Sequence, residues 1–81
     1  MIKYYTLDGY TRVSRYEIIN QGIAIEFITG DVYLYTYDSA GYNNVEQMKV
    51  LASLGNGLDD YTSRYSGKYY DSKLVWIIIN H

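Results

Sequence analysis

The 81-residue chain contains no cysteine and a single histidine, His81. The lack of cysteine excludes disulfide frameworks, iron–sulfur sites and a cysteine nucleophile, and one imidazole is too few for a zinc ribbon. The only histidine available to a Ser-His-Asp triad is His81, and the seven glycines do not show the spacing of a phosphate-binding loop. The sequence therefore shows no catalytic motif. We therefore expect a non-enzymatic protein with no metal and no cofactor.

Long apolar segments are also lacking. The longest apolar run, residues 74–79, is far shorter than the roughly 20 residues that a membrane-spanning helix needs. Residues 1–6 show no apolar core of a signal peptide, so we expect a cytoplasmic protein that does not enter a membrane. With 48% hydrophobic and 20% charged residues the chain can fold, and its length predicts a single domain over 1–81.

Tyrosine is the residue type in excess, with 12 tyrosines against one phenylalanine and one tryptophan. Because a buried phenylalanine leaves no hydroxyl to satisfy, this ratio favours rings that keep their polar tips in water, as at binding surfaces. The alternative is that tyrosine simply suits half-buried strands. The formal net charge of −2 lacks the basic excess of a dedicated duplex-binding protein.

The apolar periodicity predicts strands followed by helices. Alternating segments rich in β-branched and aromatic residues predict strands, with turns at Asp8-Gly9 and Gly30-Asp31; they span residues 2–7, 13–19, 22–29 and 32–37. An apolar spacing typical of a helix follows, with Asn44 as N-cap and Gly55 as C-terminal stop, and a second helix is predicted over 58–65.

The final apolar run, residues 74–79, predicts a C-terminal strand. The predicted fold is α+β: a mostly antiparallel sheet with a central hairpin, two consecutive helices on one face and this last strand.

The central hairpin carries three alternate tyrosines. A two-residue turn at Gly30-Asp31 pairs Ile28 with Tyr33 and places Tyr33, Tyr35 and Tyr37 on one face. The opposite face then forms the core; it carries Ile23, Ile25, Phe27, Val32 and Leu34. Two interpretations of the tyrosine stripe stay open: an exposed binding surface, or a second buried face.

Residues 14–65 resemble the KTSC domain, a small module found alone in bacteria and phages and at the end of some lysyl-tRNA synthetases. The resemblance rests on an alternating strand at 23–27, the Tyr-x-Tyr of Tyr33 and Tyr35, an Ala-Ser-x-Gly helix end at 52–55, and a helix ending in Tyr65. It implies a small α+β domain and suggests RNA binding.

Candidate binding residues combine the hairpin tyrosines with a small basic and aromatic cluster; they are Tyr33, Tyr35, Tyr37, Arg64, Lys68 and Tyr69. The first hypothesis is docking on a partner protein or nucleoprotein through a Tyr-rich surface, for instance as a phage-encoded inhibitor of a host defence or nucleic-acid enzyme. The second is binding of RNA or a small nucleotide between tyrosines. The third is self-association into a homo-oligomer through residues 74–79 at a sheet edge.

Overall fold

The computed structural model describes residues 1–6, 11–65 and 72–74. In these ranges the strands are β1 (Ile2–Lys3), β2 (Val13–Ile19), β3 (Gly22–Phe27), β4 (Val32–Thr36) and β5 (Ser72–Leu74). The helices are α1 (Tyr37–Ala40), α2 (Tyr42–Leu54) and α3 (Leu58–Tyr65). All neighbouring strands are antiparallel, in the order β1-β2-β3-β4-β5. The predicted α+β class, with its central hairpin and consecutive helices, is confirmed.

One face of the sheet packs against the helices and forms the main core. Ile23, Ile25 and Tyr35 come from the central strands, and Val45 and Met48 from α2; all five side chains are fully buried. This arrangement follows from the two periods in the sequence, alternate residues on the strands and 3.6-residue spacing on the helix.

The N-terminal segment closes the core beside α3. The ring of Tyr4 meets the ring of Tyr16 edge to face, with centroids 6.4 Å apart. The buried Tyr4 hydroxyl accepts a hydrogen bond from the backbone N–H of Leu58, the first residue of α3. The N-terminal strand is therefore fixed both to β2 and to the start of α3.

The register of the β3–β4 hairpin differs from the predicted one by three residues. Ile25 pairs with Tyr33 and Ile23 pairs with Tyr35. The turn is a three-residue loop, in which Gly30 N–H donates to the Phe27 carbonyl and Phe27 N–H donates to the Asp31 carbonyl. Gly30 has a φ of +95°, so the glycine serves as the third residue of a longer loop rather than the first of a two-residue turn.

An odd shift in register exchanges the two faces of β4 relative to β3, so the predicted placement of Tyr33 and Tyr35 on the face opposite the core is wrong, and the alternative of a buried face holds for Tyr35. Tyr35 lies in the core with 0% of its surface exposed, and Tyr33 packs half-buried against the same core. Val32 and Leu34, predicted to face the core with Ile23, lie on the opposite face of the sheet. That face is also covered, since Val32 is fully buried and Ala24 nearly so.

A carboxylate lies within this second covered face. The side chain of Glu26 is nearly buried and accepts two hydrogen bonds from Arg15, at 2.6 Å from Nε and 2.8 Å from a terminal nitrogen. The hydrogen bond from Arg15, aided by the opposite charge, holds the pKa of Glu26 below its ordinary value. The two-point geometry is the one in which an arginine satisfies both carboxylate oxygens.

The helix boundaries are partly as predicted. Strand β2 and helix α3 match the predicted ranges 13–19 and 58–65, and α2 ends at Gly55, whose φ of +69° is left-handed. Helix α2 begins at Tyr42, so the predicted N-cap, Asn44, lies inside its first turn. The residues between β4 and α2 form the short helix α1, which begins with a reciprocal cap between Thr36 and Ser39.

Two further expectations lie outside the described residues. The turn at Asp8-Gly9 is one of them, and the other is the continuation of the last strand over residues 75–79. Strand β5 pairs Leu74 with Val32 and so places the start of the predicted C-terminal strand beside β4.

Candidate binding cleft

A cleft of about 360 Å³ opens between the β3–β4 loop and helix α3. Its lining is mostly apolar and comes from the start of β2, the hairpin and the middle of α3; it comprises Arg12, Phe27, Ile28, Thr29, Tyr33, Thr62 and Ser63. The three-residue loop forms one wall because it carries Ile28 and Thr29 past the end of β3. The cleft thus depends on the register that the sequence did not predict.

Two aromatic rings form the floor of the cleft. Phe27 and Tyr33 meet edge to face, with ring centroids 5.8 Å apart and planes at 69°. Both rings pack against the core from the helix-covered side of the sheet, which holds them in place from below. Ile28 at the rim is 67% exposed. An apolar side chain that entered the cleft would contact aromatic rings that are already held in place, so the protein would lose little conformational entropy on binding.

Arg12 forms the charged side of the cleft. Its backbone N–H and its Nε both donate to the carboxylate of Asp59 in the first turn of α3, at 3.2 Å and 3.0 Å. Within the part of the chain that the structure describes, the two terminal guanidinium nitrogens have no hydrogen-bond partner. The Arg12 side chain is 53% exposed. Asp59 therefore fixes the base of the guanidinium and leaves its outer end accessible.

The three aliphatic hydroxyl groups of the cleft already donate their protons within the protein. Thr62 donates to the backbone carbonyl of Asp59 at 3.0 Å, and Ser63 donates to that of Asp60 at 2.9 Å. Thr29 donates to the carboxylate of Asp31 at 3.1 Å. Because a hydroxyl has one proton, these three groups can offer only acceptor lone pairs to a ligand.

The structure separates the predicted site residues. Tyr33 lies in the cleft, Tyr35 in the core, and Tyr37 at the other end of β4. Arg64 is exposed on α3 and forms an ion pair of 3.4 Å with Asp60, four residues earlier. The remaining two predicted residues, Lys68 and Tyr69, lie outside the described residues.

Tyr37 belongs to a polar cluster between α1 and α2. Its hydroxyl donates to Glu46 at 2.6 Å and accepts from Lys49 at 3.1 Å, and Lys49 also pairs with Glu46 at 3.1 Å. The hydrogen bond from Tyr37 lowers the pKa of Glu46, and the hydrogen bond to Tyr37 raises the pKa of Lys49. The ring of Tyr42 lies 4.9 Å from that of Tyr37 and is 61% exposed. The Tyr37 hydroxyl is thus committed to internal contacts.

The described basic side chains are mostly neutralised by carboxylates. Four ion pairs account for them: Arg12–Asp59, Arg15–Glu26, Lys49–Glu46 and Arg64–Asp60. Lys3 lies 5.3 Å from the ring centroid of Tyr5. The described surface therefore offers no cluster of unpaired cations for a phosphate backbone.

Comparisons with family models, with curated proteins and with solved structures found no match. The resemblance to the KTSC domain therefore stays a prediction. In the described part of the chain, no helix is both long enough and apolar enough to cross a membrane. Over the same residues, no group of three or more acidic, histidine or cysteine side chains could hold a metal ion.

Sequence reasoning missed Arg12, Phe27 and Ile28 as members of one site. Phe27 is assigned to the core by the alternation of β3, and this is half correct, since the ring packs on the core while its other side lines the cleft. No local signal in the sequence marks Ile28 as part of a site, since a single exposed isoleucine is common on protein surfaces.

Proposed function

We propose that this chain is a small protein-binding module, and that the cleft between the β3–β4 loop and α3 receives an apolar side chain of a partner protein. The observation that carries the proposal is the aromatic floor formed by Phe27 and Tyr33, open to solvent and rimmed by the exposed Ile28. Apolar rings supported from below and accessible from above are typical of the pockets that receive interface anchor residues.

The size of the cleft supports an anchor of one side chain. Its volume of about 360 Å³ lies at the small end of the range of ligand pockets, which begins near 300 Å³. A phenylalanine, leucine or methionine side chain fits this volume, together with part of its backbone. The proposal is one of binding rather than catalysis: the described cleft presents two aromatic rings and an arginine that pairs with Asp59.

A protein partner is favoured over RNA by the charge of the described surface. A phosphate group reaching Arg12 or Arg64 would meet the negative charge of Asp59 or Asp60, which already pair with these arginines. The nucleotide hypothesis also required several tyrosines on one exposed face, whereas Tyr35 is buried. An aromatic cleft with a neutralised rim fits an apolar protein anchor better than a polyanion.

Selection of peptides from a displayed random library tests the proposal. We expect the full chain to enrich peptides with a shared apolar residue, and we expect Tyr33→Ala to lower their affinity by about tenfold or more. The matched control is Tyr42→Ala, an exposed ring outside the cleft, which should leave the affinity unchanged. The proposal is contradicted if the selected peptides bind Tyr33→Ala as tightly as the wild type. It is also contradicted if the chain binds RNA pools more tightly than it binds the peptides.

A further inference from the structure

We infer that the partner's apolar side chain is accompanied by a carboxylate, which binds the outer end of the Arg12 guanidinium. This inference rests on the proposed function and specifies the chemistry of the partner segment. The juxtaposition behind it is an aromatic floor, Phe27 with Tyr33, beside the accessible terminal nitrogens of Arg12 in one cleft.

The hydroxyl groups of three residues in the cleft cannot donate hydrogen bonds to a ligand. The hydroxyls of Thr29, Thr62 and Ser63 donate within the protein and can only accept from a ligand. The terminal nitrogens at the outer end of Arg12, by contrast, are side-chain donors that the described cleft can still offer to a ligand. A ligand group that only accepts hydrogen bonds, such as a carboxylate, matches this end, whereas an ammonium group does not.

The guanidinium group of Arg12 is held in a fixed orientation by Asp59. Asp59 binds the backbone N–H of Arg12 and its Nε, so the inner edge of the planar group is occupied and its position is fixed. The outer edge, formed by the two terminal nitrogens, has the spacing that receives both oxygens of a carboxylate. Asp59 is thus a positioning residue that prepares Arg12 for a second, external carboxylate.

The ion pairs beside the cleft leave it without net charge. Arg12 and Asp59 together are neutral, and Asp60 with its partner Arg64 adds no net charge. A ligand with one negative charge gains the contact with Arg12 at moderate repulsion from Asp59. A phosphate dianion is repelled more strongly by the same aspartates and loses more hydration on contact with a single guanidinium, so we expect a carboxylate to bind more tightly than a phosphate.

Three small probes on the full chain test this inference: N-acetyl-phenylalanine, its amide, and phenyl phosphate. Their binding is followed by NMR through the backbone amides of Phe27 and Tyr33. We expect the acid to bind about two- to fivefold more tightly than the amide, the range that an exposed ion pair supports, and more tightly than phenyl phosphate. In Arg12→Gln the acid and the amide should bind equally.

Salt supplies a test that needs no variant, in case Arg12→Gln fails to fold. Raising NaCl from about 50 to about 500 mM should reduce the preference of the wild type for the acid toward one, and leave binding of the amide unchanged. Equal binding of acid and amide at low salt, or tighter binding of phenyl phosphate, overturns the inference and leaves the proposed function standing. If no probe shifts these amides, the inference is also overturned, but the proposed function falls only if peptide selection yields no cleft-dependent binder.

Discussion

The two ends of β4 carry tyrosines in opposite situations. Tyr37, just past the C-terminal end, is tied down by Glu46, Lys49 and the ring of Tyr42. Tyr33, near the N-terminal end, shares the floor of an open cleft with Phe27. The two residues are about 13 Å apart along the strand.

This difference indicates which end can bind a partner at low cost. At the Tyr37 end the ring is already in contact with the ring of Tyr42 and with the ammonium group of Lys49, which a ligand would have to displace before it could use the Tyr37 ring. At the Tyr33 end the two rings of the floor are already in place and line the open cleft. The same residue type is therefore held in internal contacts at one end of β4 and lines an open cleft at the other.

The largest expected effect comes from Tyr35, midway between the two ends. Replacing this fully buried ring in Tyr35→Ala should reduce the free energy of unfolding by about 3–5 kcal/mol, because it leaves a cavity under α2 that the core cannot fill. Chemical denaturation measures the loss. Tyr35→Phe is the matched control, and it should cost much less because the ring remains. A loss below about 1 kcal/mol for Tyr35→Ala would show that the ring is not in the core.

A smaller effect is expected from the Arg15–Glu26 pair, which lies on the face of the sheet opposite the helices. Glu26→Gln removes the charge that Arg15 binds at two points and should destabilise the protein by about 1–2 kcal/mol, toward the lower value because solvent reaches Arg15. Glu17→Gln is a suitable control, since Glu17 lies on the same strand as Arg15 but is exposed. Equal effects of the two variants would contradict the role given to the Arg15–Glu26 pair.

The same ion pair predicts a dependence of stability on pH. Because the pKa of Glu26 is lower in the folded than in the unfolded chain, its contribution is fully present above the ordinary glutamate value of 4.5 and is lost as the pH falls through the folded value. Thermal unfolding of the wild type and of Glu26→Gln should therefore differ at neutral pH and converge at acidic pH. A difference that grows on acidification would contradict the assignment.

The smallest expected effect on stability lies at the Tyr37 end. Tyr37→Phe removes the hydroxyl between Glu46 and Lys49 and should cost about 0.5–1 kcal/mol, the net value of one hydrogen bond. Tyr5→Phe, at an exposed ring, is the control and should be neutral. If Tyr37→Phe is also neutral, the polar cluster does not fix this end and the contrast between the ends weakens.

The sequence predicts the elements of this fold better than their pairing. The ranges of β2 and α3 and the end of α2 at Gly55 follow from alternation, helical spacing and glycine, which are local signals. The register of the hairpin does not, because Gly30 can serve a two-residue or a three-residue loop, and both supply the positive φ that glycine allows. That ambiguity reverses the face on which Tyr33 and Tyr35 lie.

The candidate cleft is still harder to predict from the sequence. It needs Arg12 from the start of β2 and Asp59 from α3, residues 47 positions apart in the chain, to meet beside the hairpin loop. No local pattern encodes such a contact. The tyrosine excess indicates binding in general terms, but most of the described tyrosines are buried or half-buried, including Tyr4, Tyr16 and Tyr35.

The affinity of one selected peptide for two alanine variants shows which end of β4 binds a partner. Tyr33→Ala and Tyr37→Ala are compared with the full wild-type chain at a temperature where thermal unfolding shows all three to be folded. We expect Tyr33→Ala to lower the affinity by about tenfold or more and Tyr37→Ala to change it by less than about twofold. A larger loss in Tyr37→Ala than in Tyr33→Ala would place the binding surface at the opposite end of β4 and contradict the account.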